Sequence, residues 1–201
     1  MSVSARIKEL NKRLAQKLTA KGVEASETET MTSLINKIDN LPTGQSDIDF
    51  SSLTEWQYFS YYNNRNTLVA KLKYSDTSNG TNFGSMFYSC SGLTTIPQLD
   101  TSNGTNFSNM FYSCSALTNL TIAGSINTSG MNLKSATKLS KSSITSVVNA
   151  LSASASGKSI TFSKTAVNNA FETSSGVADG STSEEWTTLI ATKANWTIAL
   201  S

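Results

Sequence analysis

Asp76-Thr-Ser-Asn-Gly80-Thr-Asn-Phe83-Gly-Ser-Met86-Phe87-Tyr88-Ser-Cys90-Ser-Gly-Leu93-Thr-Thr-Ile96 is followed by Asp100-Thr-Ser-Asn-Gly104-Thr-Asn-Phe107-Ser-Asn-Met110-Phe111-Tyr112-Ser-Cys114-Ser-Ala-Leu117-Thr-Asn-Leu120. Each element returns 24 residues later: Asp76 as Asp100, Phe83 as Phe107, Met86 as Met110 and Cys90 as Cys114. A fixed period of this length predicts a solenoid, because one such unit cannot bury its apolar side alone and must stack on its copies.

Within each unit the chemistry divides cleanly. Asp100 through Asn106 is turn chemistry, with an Asp able to bond its own backbone and Gly104 to permit positive φ. Phe107, Met110, Phe111 and Cys114 fall at i, i+3, i+4 and i+7, the buried stripe of a short helix. Leu93-x-x-Ile96-x-x-Leu99 and Leu117-x-x-Leu120 have the leucine-rich-repeat rhythm, with a short strand expected near Thr94–Ile96. Stacking places Phe83 on Phe107, Met86 on Met110 and Cys90 on Cys114, while Asn and Ser positions form polar ladders. Tyr88 and Tyr112 lie off the stripe and are left for a partner. The two cysteines, at neighbouring-strand spacing of about 5 Å, read as stacked buried thiols, with a disulfide as the alternative.

Outward from the repeats, residues 4–21 read as a helix carrying Ile7, Leu10, Leu14 and Leu18 at three- and four-residue steps, with Lys21-Gly22 as its stop. A second helix over 27–39 carries Met31, Leu34, Ile35 and Ile38, with Glu27 and Glu29 in its first turn. Residues 1–41 are thus an N-terminal helical hairpin, too short to bury much surface alone. Ile7, Leu10, Leu14, Leu18, Leu34, Ile35 and Ile38 are its attachment and oligomerisation residues. The first helix's Arg6, Lys8, Lys12, Arg13, Lys17 and Lys21 form either a solvated face or a contact with an anionic partner. Residues 42–75 are a linker and N-terminal cap. Their aromatics Trp56, Tyr61 and Tyr62 either close the core or offer a sugar-stacking platform. Residues 76–201 form the repeat domain with its C-terminal cap. There a helix at 140–151, a strand at 159–162, a looser stretch after Val167 and Phe171, a helix opened by a Thr182-x-x-Glu185 capping box and a strand at 196–200 are expected.

The 201 residues are 15% charged with net charge +2, which gives no reason to expect nucleic acid as a partner. No apolar run reaches the ~18 residues of a membrane span. Met1-Ser-Val-Ser-Ala-Arg-Ile7 lacks the apolar core of a secretion signal, so export by the ordinary secretory route is not expected. There is no histidine, hence no common general base or metal ligand. Asp47 and Asp49 are too few for calcium. Glu184 and Glu185 point apart on a helix and make no opposed carboxylate pair. No catalytic residue, metal or cofactor is expected, and the chain is read as non-enzymatic.

The unit Leu93 to Ser115 resembles the bacterial surface-protein class of leucine-rich repeats, whose units run D-T-S-N-V-T-N-M-x-x-M-F-x-x-C. The match departs at Gly80 and Gly104, where that class usually has an apolar residue. The region from 140 to Ile198 is similar to the terminal unit of phage- and prophage-borne versions of these repeats. The hairpin from Leu14 to Ile38 resembles N-terminal segments of phage tail-fibre, baseplate and other virion proteins. The resemblance implies an α/β leucine-rich-repeat solenoid with short parallel strands and short helices behind an attachment hairpin. It implies a virion structural protein (tail fibre, baseplate or capsid decoration), located in the virion after assembly in the bacterial host cytoplasm, that joins other virion proteins through residues 1–41. It further implies a homo-oligomer, trimeric by analogy. Host-surface protein or glycan would bind at Trp56, Tyr61, Tyr62, Tyr88 and Tyr112. A bacterial surface adhesin is the alternative.

Overall fold

The computed structural model describes residues 3–20, 22–29, 33, 34, 37, 54, 77–171 and 183–201. Its elements are α1 (Val3–Ala20), β1 (Thr95–Leu99), β2 (Asn119–Ile122), β3 (Asn132–Leu133), α2 (Lys141–Ala150), β4 (Lys158–Phe162), α3 (Lys164–Phe171), α4 (Glu184–Ala191) and β5 (Trp196–Leu200). The described chain is a mixed helix and strand protein whose strand pairs are all parallel: β1 with β2, and β3–β4–β5 in a second sheet.

In the N-terminal unit α1 buries Leu10, Leu14, Ala15 and Leu18, and Leu34 is buried as well. Gly22, at φ 76°, ends the helix in a Schellman turn: Val23 N–H donates to Leu18 O and Gly22 N–H to Thr19 O. Side chains tie α1 to the returning chain, Asn11 Nδ2 donating to Glu29 O at 3.0 Å and Gln16 Nε2 to Glu27 at 2.7 Å. Glu29 accepts from Lys37, Ser33 and the Ser26 backbone, which together lower its pKa from 4.5 to about 2. Residues 27–29, expected as the first turn of the second helix, are instead a turn and bend, residues 33, 34 and 37 are helical, and the others of the predicted 27–39 lie outside the described residues.

The repeats stack in the expected register but are built differently inside. Phe83, Met86, Phe87, Cys90 and their counterparts Phe107, Met110, Phe111, Cys114 are all fully buried. Phe83 stacks on Phe107 with centroids 5.6 Å apart, and Phe87 on Phe111 at 5.7 Å. The predicted short helix, however, is a run of turns. Met86, Tyr88 and Cys90 N–H groups donate three residues back, to Phe83, Ser85 and Phe87 carbonyls. The intervening N–H groups turn outward: Phe83 donates to Asn106 O, Ser85 to Ser108 O, Phe87 to Met110 O and Ser89 to Tyr112 O, at 2.8–3.0 Å. Every second N–H thus bonds the next coil, which the inward i→i−4 bonds of an α-helix would forbid. Ser85, Ser89, Asn109 and Ser113 make this possible by adopting φ of 54–57°.

The positive φ expected at the repeat glycines falls instead on these Ser and Asn residues, and Gly80 and Gly104 serve a different end. A Cβ on Gly80 would overlap the Phe83 ring, and one on Gly104 the Phe107 ring. Glycine and the large Phe therefore come as a pair, which accounts for the departure of both glycines from the resembled pattern.

Polar ladders join the coils. Asp100 Oδ1 accepts from Ser102 N–H, closing the expected Asx turn, and Asn106 Nδ2 donates to Asn82 Oδ1 at 3.0 Å. Asn103 Nδ2 reaches Ser78 O and Asn127 Nδ2 reaches Ser102 O, both at 2.8 Å, so the 24-residue period persists into a third coil. At the other end Thr54 O accepts from the N–H groups of Thr81 and Asn82, in the place that Thr81 O holds for Thr105. Cys90 and Cys114 are free, buried thiols. Burial, and then the neighbouring Cys90, pushes the Cys114 thiol up to about 12.

Beyond β2 the pattern changes. Helix α2 lies where another strand would continue the sheet, and its serines satisfy the β2 edge. Leu120 N–H donates to Ser143 Oγ and Ile122 N–H to Ser146 Oγ, and Ser143 Oγ donates back to Thr118 O. Residues 164–171, for which no element was expected, are helix α3, with Ser163 Oγ accepting from Ala166 N–H at its start, and the looser stretch expected beyond Phe171 lies outside the described residues. Helix α4 is capped one residue later than expected, by Ser183, whose Oγ accepts from Trp186 N–H. Trp186 packs edge-on against Phe162 and tilted against Phe171, closing this end of the core. Lys193 Nζ donates to Asn149 and Leu151 carbonyls, and the Asn195 amide to those of Ser152, Ala153 and Ala155, clamping the turn after α2.

Candidate ligand-binding face

In the turn runs Phe83, Met86, Phe87 and Cys90 and their counterparts are buried in the core, whereas Tyr88 in one coil and Tyr112 in the next are not. Their rings stack with centroids 4.8 Å apart and 13° between planes. Tyr88 is half-buried, whereas Tyr112, at 45% exposure, is the exposed large hydrophobic residue among the described ones. The stack holds two aromatic faces rigid at little further entropy cost, the property that suits Tyr to recognition surfaces.

Beside Tyr112 lies a narrow cleft of about 20 Å3, lined by Asn109, Tyr112, Asn132, Lys134 and Ser135. Asn132 and Lys134 are brought there by β3, where Asn132 Oδ1 accepts from Lys134 N–H at 3.0 Å. Asn109, Asn132 and Lys134 are exposed. The face is therefore one aromatic plate flanked by two amides, a hydroxyl and a cation. It can stack a ring and donate hydrogen bonds. Among the described residues no cluster of His, Cys, Asp and Glu is arranged to hold a metal ion, and no helix is long and apolar enough to cross a membrane.

Of the residues expected from sequence to meet a partner, Tyr88 and Tyr112 come together as one stack. Trp56, Tyr61 and Tyr62 lie outside the described residues, as do Ile35 and Ile38. Ile7 falls on α1, and Leu10, Leu14, Leu18 and Leu34 are buried within the chain. Sequence reasoning missed Asn109, Asn132, Lys134 and Ser135. Asn109 was assigned to the ladders, and the approach of residues 132–135 depends on the third coil leaving the 24-residue pattern, which no local motif announces.

A family model described as "Mycoplasma protein of unknown function, DUF285" matches residues 29–150, more than half of the chain and all of the stacked repeats. No curated protein and no solved structure matches the chain significantly.

Proposed function

The chain therefore belongs to the DUF285 family, and from that premise we propose that it is a non-enzymatic recognition protein, a leucine-rich-repeat solenoid that binds a cell-surface protein or glycan through its tyrosine stack. The observation that carries this reading is the exposure of Tyr112 at the end of an ordered Tyr88–Tyr112 stack. A buried aromatic packs a core; a rigid, half-exposed aromatic pair stabilises little and offers stacking area to a ligand. The 24-residue ladder of backbone bonds supports the solenoid architecture, since each coil satisfies its outward N–H groups only on a neighbour.

In the leading version, residues 1–41 attach the chain to other virion proteins as a homo-oligomer and the repeats point toward the host. Resemblance of the hairpin to virion segments supports this version. The DUF285 match favours a second reading, a repeat protein displayed on a bacterial surface as an adhesin. Both readings use the same face. The test is retention of labelled full-length protein on bacterial cells, with Tyr88→Ala/Tyr112→Ala as the comparison. Loss of retention by a double variant that is still fully folded at the assay temperature supports the proposal, and equal retention by the double variant refutes it. Immunogold labelling of phage particles against cell envelopes separates the two readings.

A further inference from the structure

Strands β2 and β5 each stand at the edge of a sheet among the described residues, and the chain treats the two edges differently. The outward N–H groups of β2, at Leu120 and Ile122, are taken up by Ser143 Oγ and Ser146 Oγ. On the β5 side, Ser201 N–H donates to Phe162 O and Ser201 O accepts from Lys164 N–H, both at 3.1 Å. In a parallel ladder the N–H and C=O of one residue point the same way, and successive residues turn to opposite neighbours. Thr197, Ala199 and Ser201 therefore face β4, and Ile198 and Leu200 face away from it. Neither Ile198 nor Leu200 has a hydrogen-bond partner on that outer side among the described residues.

This edge is within reach of a second chain. Ile198 and Leu200 are half-buried, and Thr197 and Ala199 are exposed. Trp196-Thr-Ile-Ala-Leu200 also lacks the devices that keep strand edges apart. It has no charged residue and no proline, and it pairs with β4 in unbroken register, without a bulge. A solenoid whose last strand is left in this state has its ladder of backbone bonds still open at that end.

We infer that the β5 edge is a dimerisation surface, on which a second copy of this chain adds its own β5 antiparallel about a twofold axis at Ala199. The occupant follows from the free groups themselves. Ile198 and Leu200 offer two N–H donors and two C=O acceptors, a set that reads the same in both directions. In the twofold pairing Ile198 lies opposite the partner's Leu200, each pair exchanges two hydrogen bonds, and all eight groups of the two edges are satisfied. The two half-buried aliphatic side chains meet across the strands, an apolar cross-strand pair made twice. Ala199 meets the partner's Ala199 as a pair that shares no hydrogen bond, where strands approach most closely and a small side chain fits best. The two three-stranded sheets become one sheet of twice the width, with a self-complementary interface of the closed, isologous kind. Such a dimer carries two tyrosine stacks, which strengthens retention on a surface without any new contact to it.

The inference is independent of Tyr112 and of residues 1–41. Its test uses Ala199, which is exposed in the single chain, so that a charge there leaves the fold intact; circular dichroism at the assay temperature checks this. Sedimentation equilibrium is run on the full chain, Ala199→Lys, Ala199→Glu and an equimolar mixture of the two variants, at about 100 μM, well above a micromolar Kd. The full chain is expected at no less than twice its 21.5 kDa. Each variant sets like charges directly opposite one another and is expected to associate at least tenfold more weakly, its mass falling toward half. The mixture sets Lys opposite Glu and is expected to recover the native mass. A native mass that the two charges leave unchanged, the monomer's included, overturns the inference, and so does a mixture that stays at the lower mass. Either result leaves the proposed recognition by the tyrosine stack standing.

Discussion

Phe111 and Tyr112 are neighbours in sequence and opposites in the fold, so the pair gives a sharp test of the coil geometry. Phe111 is 0% exposed and stacked on Phe87 at 5.7 Å, while Tyr112 is 45% exposed and stacked on Tyr88 at 4.8 Å. Phe111→Ala removes a wholly buried ring and leaves a cavity in a stack that cannot collapse without shifting both coils, a cost of about 3–5 kcal/mol. Tyr112→Ala gives up roughly half a side chain's burial and one exposed stacking contact, about 1 kcal/mol. For a protein of this size each kcal/mol lowers the melting temperature by about 2–4 °C. Thermal unfolding followed by circular dichroism should therefore show a drop of about 6–20 °C for Phe111→Ala and about 2–4 °C for Tyr112→Ala. Equal losses at the two positions would refute the assignment of inward and outward faces.

Gly104→Ala should destabilise by about 1–3 kcal/mol through overpacking against Phe107. Adding Phe107→Leu should recover part of that loss in a double-mutant cycle, as no independent pair of sites would. The pH dependence of the N-terminal unit should follow Glu29, whose pKa falls from 4.5 to about 2 in the folded chain, first through the Lys37 hydrogen bond and then through Ser33 and Ser26. A lowered folded pKa stabilises fully above 4.5 and is lost as pH falls from 4.5 through 2. The Ser26 amide resonance should accordingly titrate near pH 2, and a midpoint near 4.5 would contradict the hydrogen bonds that hold the carboxylate. Cys90 and Cys114 should resist maleimide at pH 8 in the native protein and react fully in denaturant, because both are buried and the Cys114 thiol, raised to about 12, holds almost no thiolate.

What could be read from sequence was set by side-chain volume and spacing. Phe83, Met86, Phe87 and Cys90 had to be buried whichever backbone carried them, because their spacing puts all four on one side of either a helix or a turn run. The choice between those backbones rested on Ser85 and Ser89 adopting positive φ. Serine gives no sign of that, and glycine at 80 and 104 drew the expectation to the wrong place. Strand β5 was legible from alternating apolar residues, and α2 from its own periodicity. The role of Ser143 and Ser146 in replacing a strand at the β2 edge was not, since it exists only between elements. Helix α3 was missed although Ser163 before Val167 and Phe171 is a usable start signal. At the candidate site the tyrosines were visible because the repeat leaves them out of its core. The cleft beside them arises where repetition fails, and a failure of register points to no particular neighbours.

Hydrogen–deuterium exchange resolved to single amides tests the account most directly, because it reads both ladder edges in one sample. The amides of Phe83, Ser85, Phe87 and Ser89 should be strongly protected by their bonds to the next coil. Those of Asn109 and Ser113, which are not buried and have no such acceptor among the described residues, should exchange much faster. Equal protection at Asn109 and Ser113 would contradict a ladder in which each outward N–H is satisfied only by the following coil.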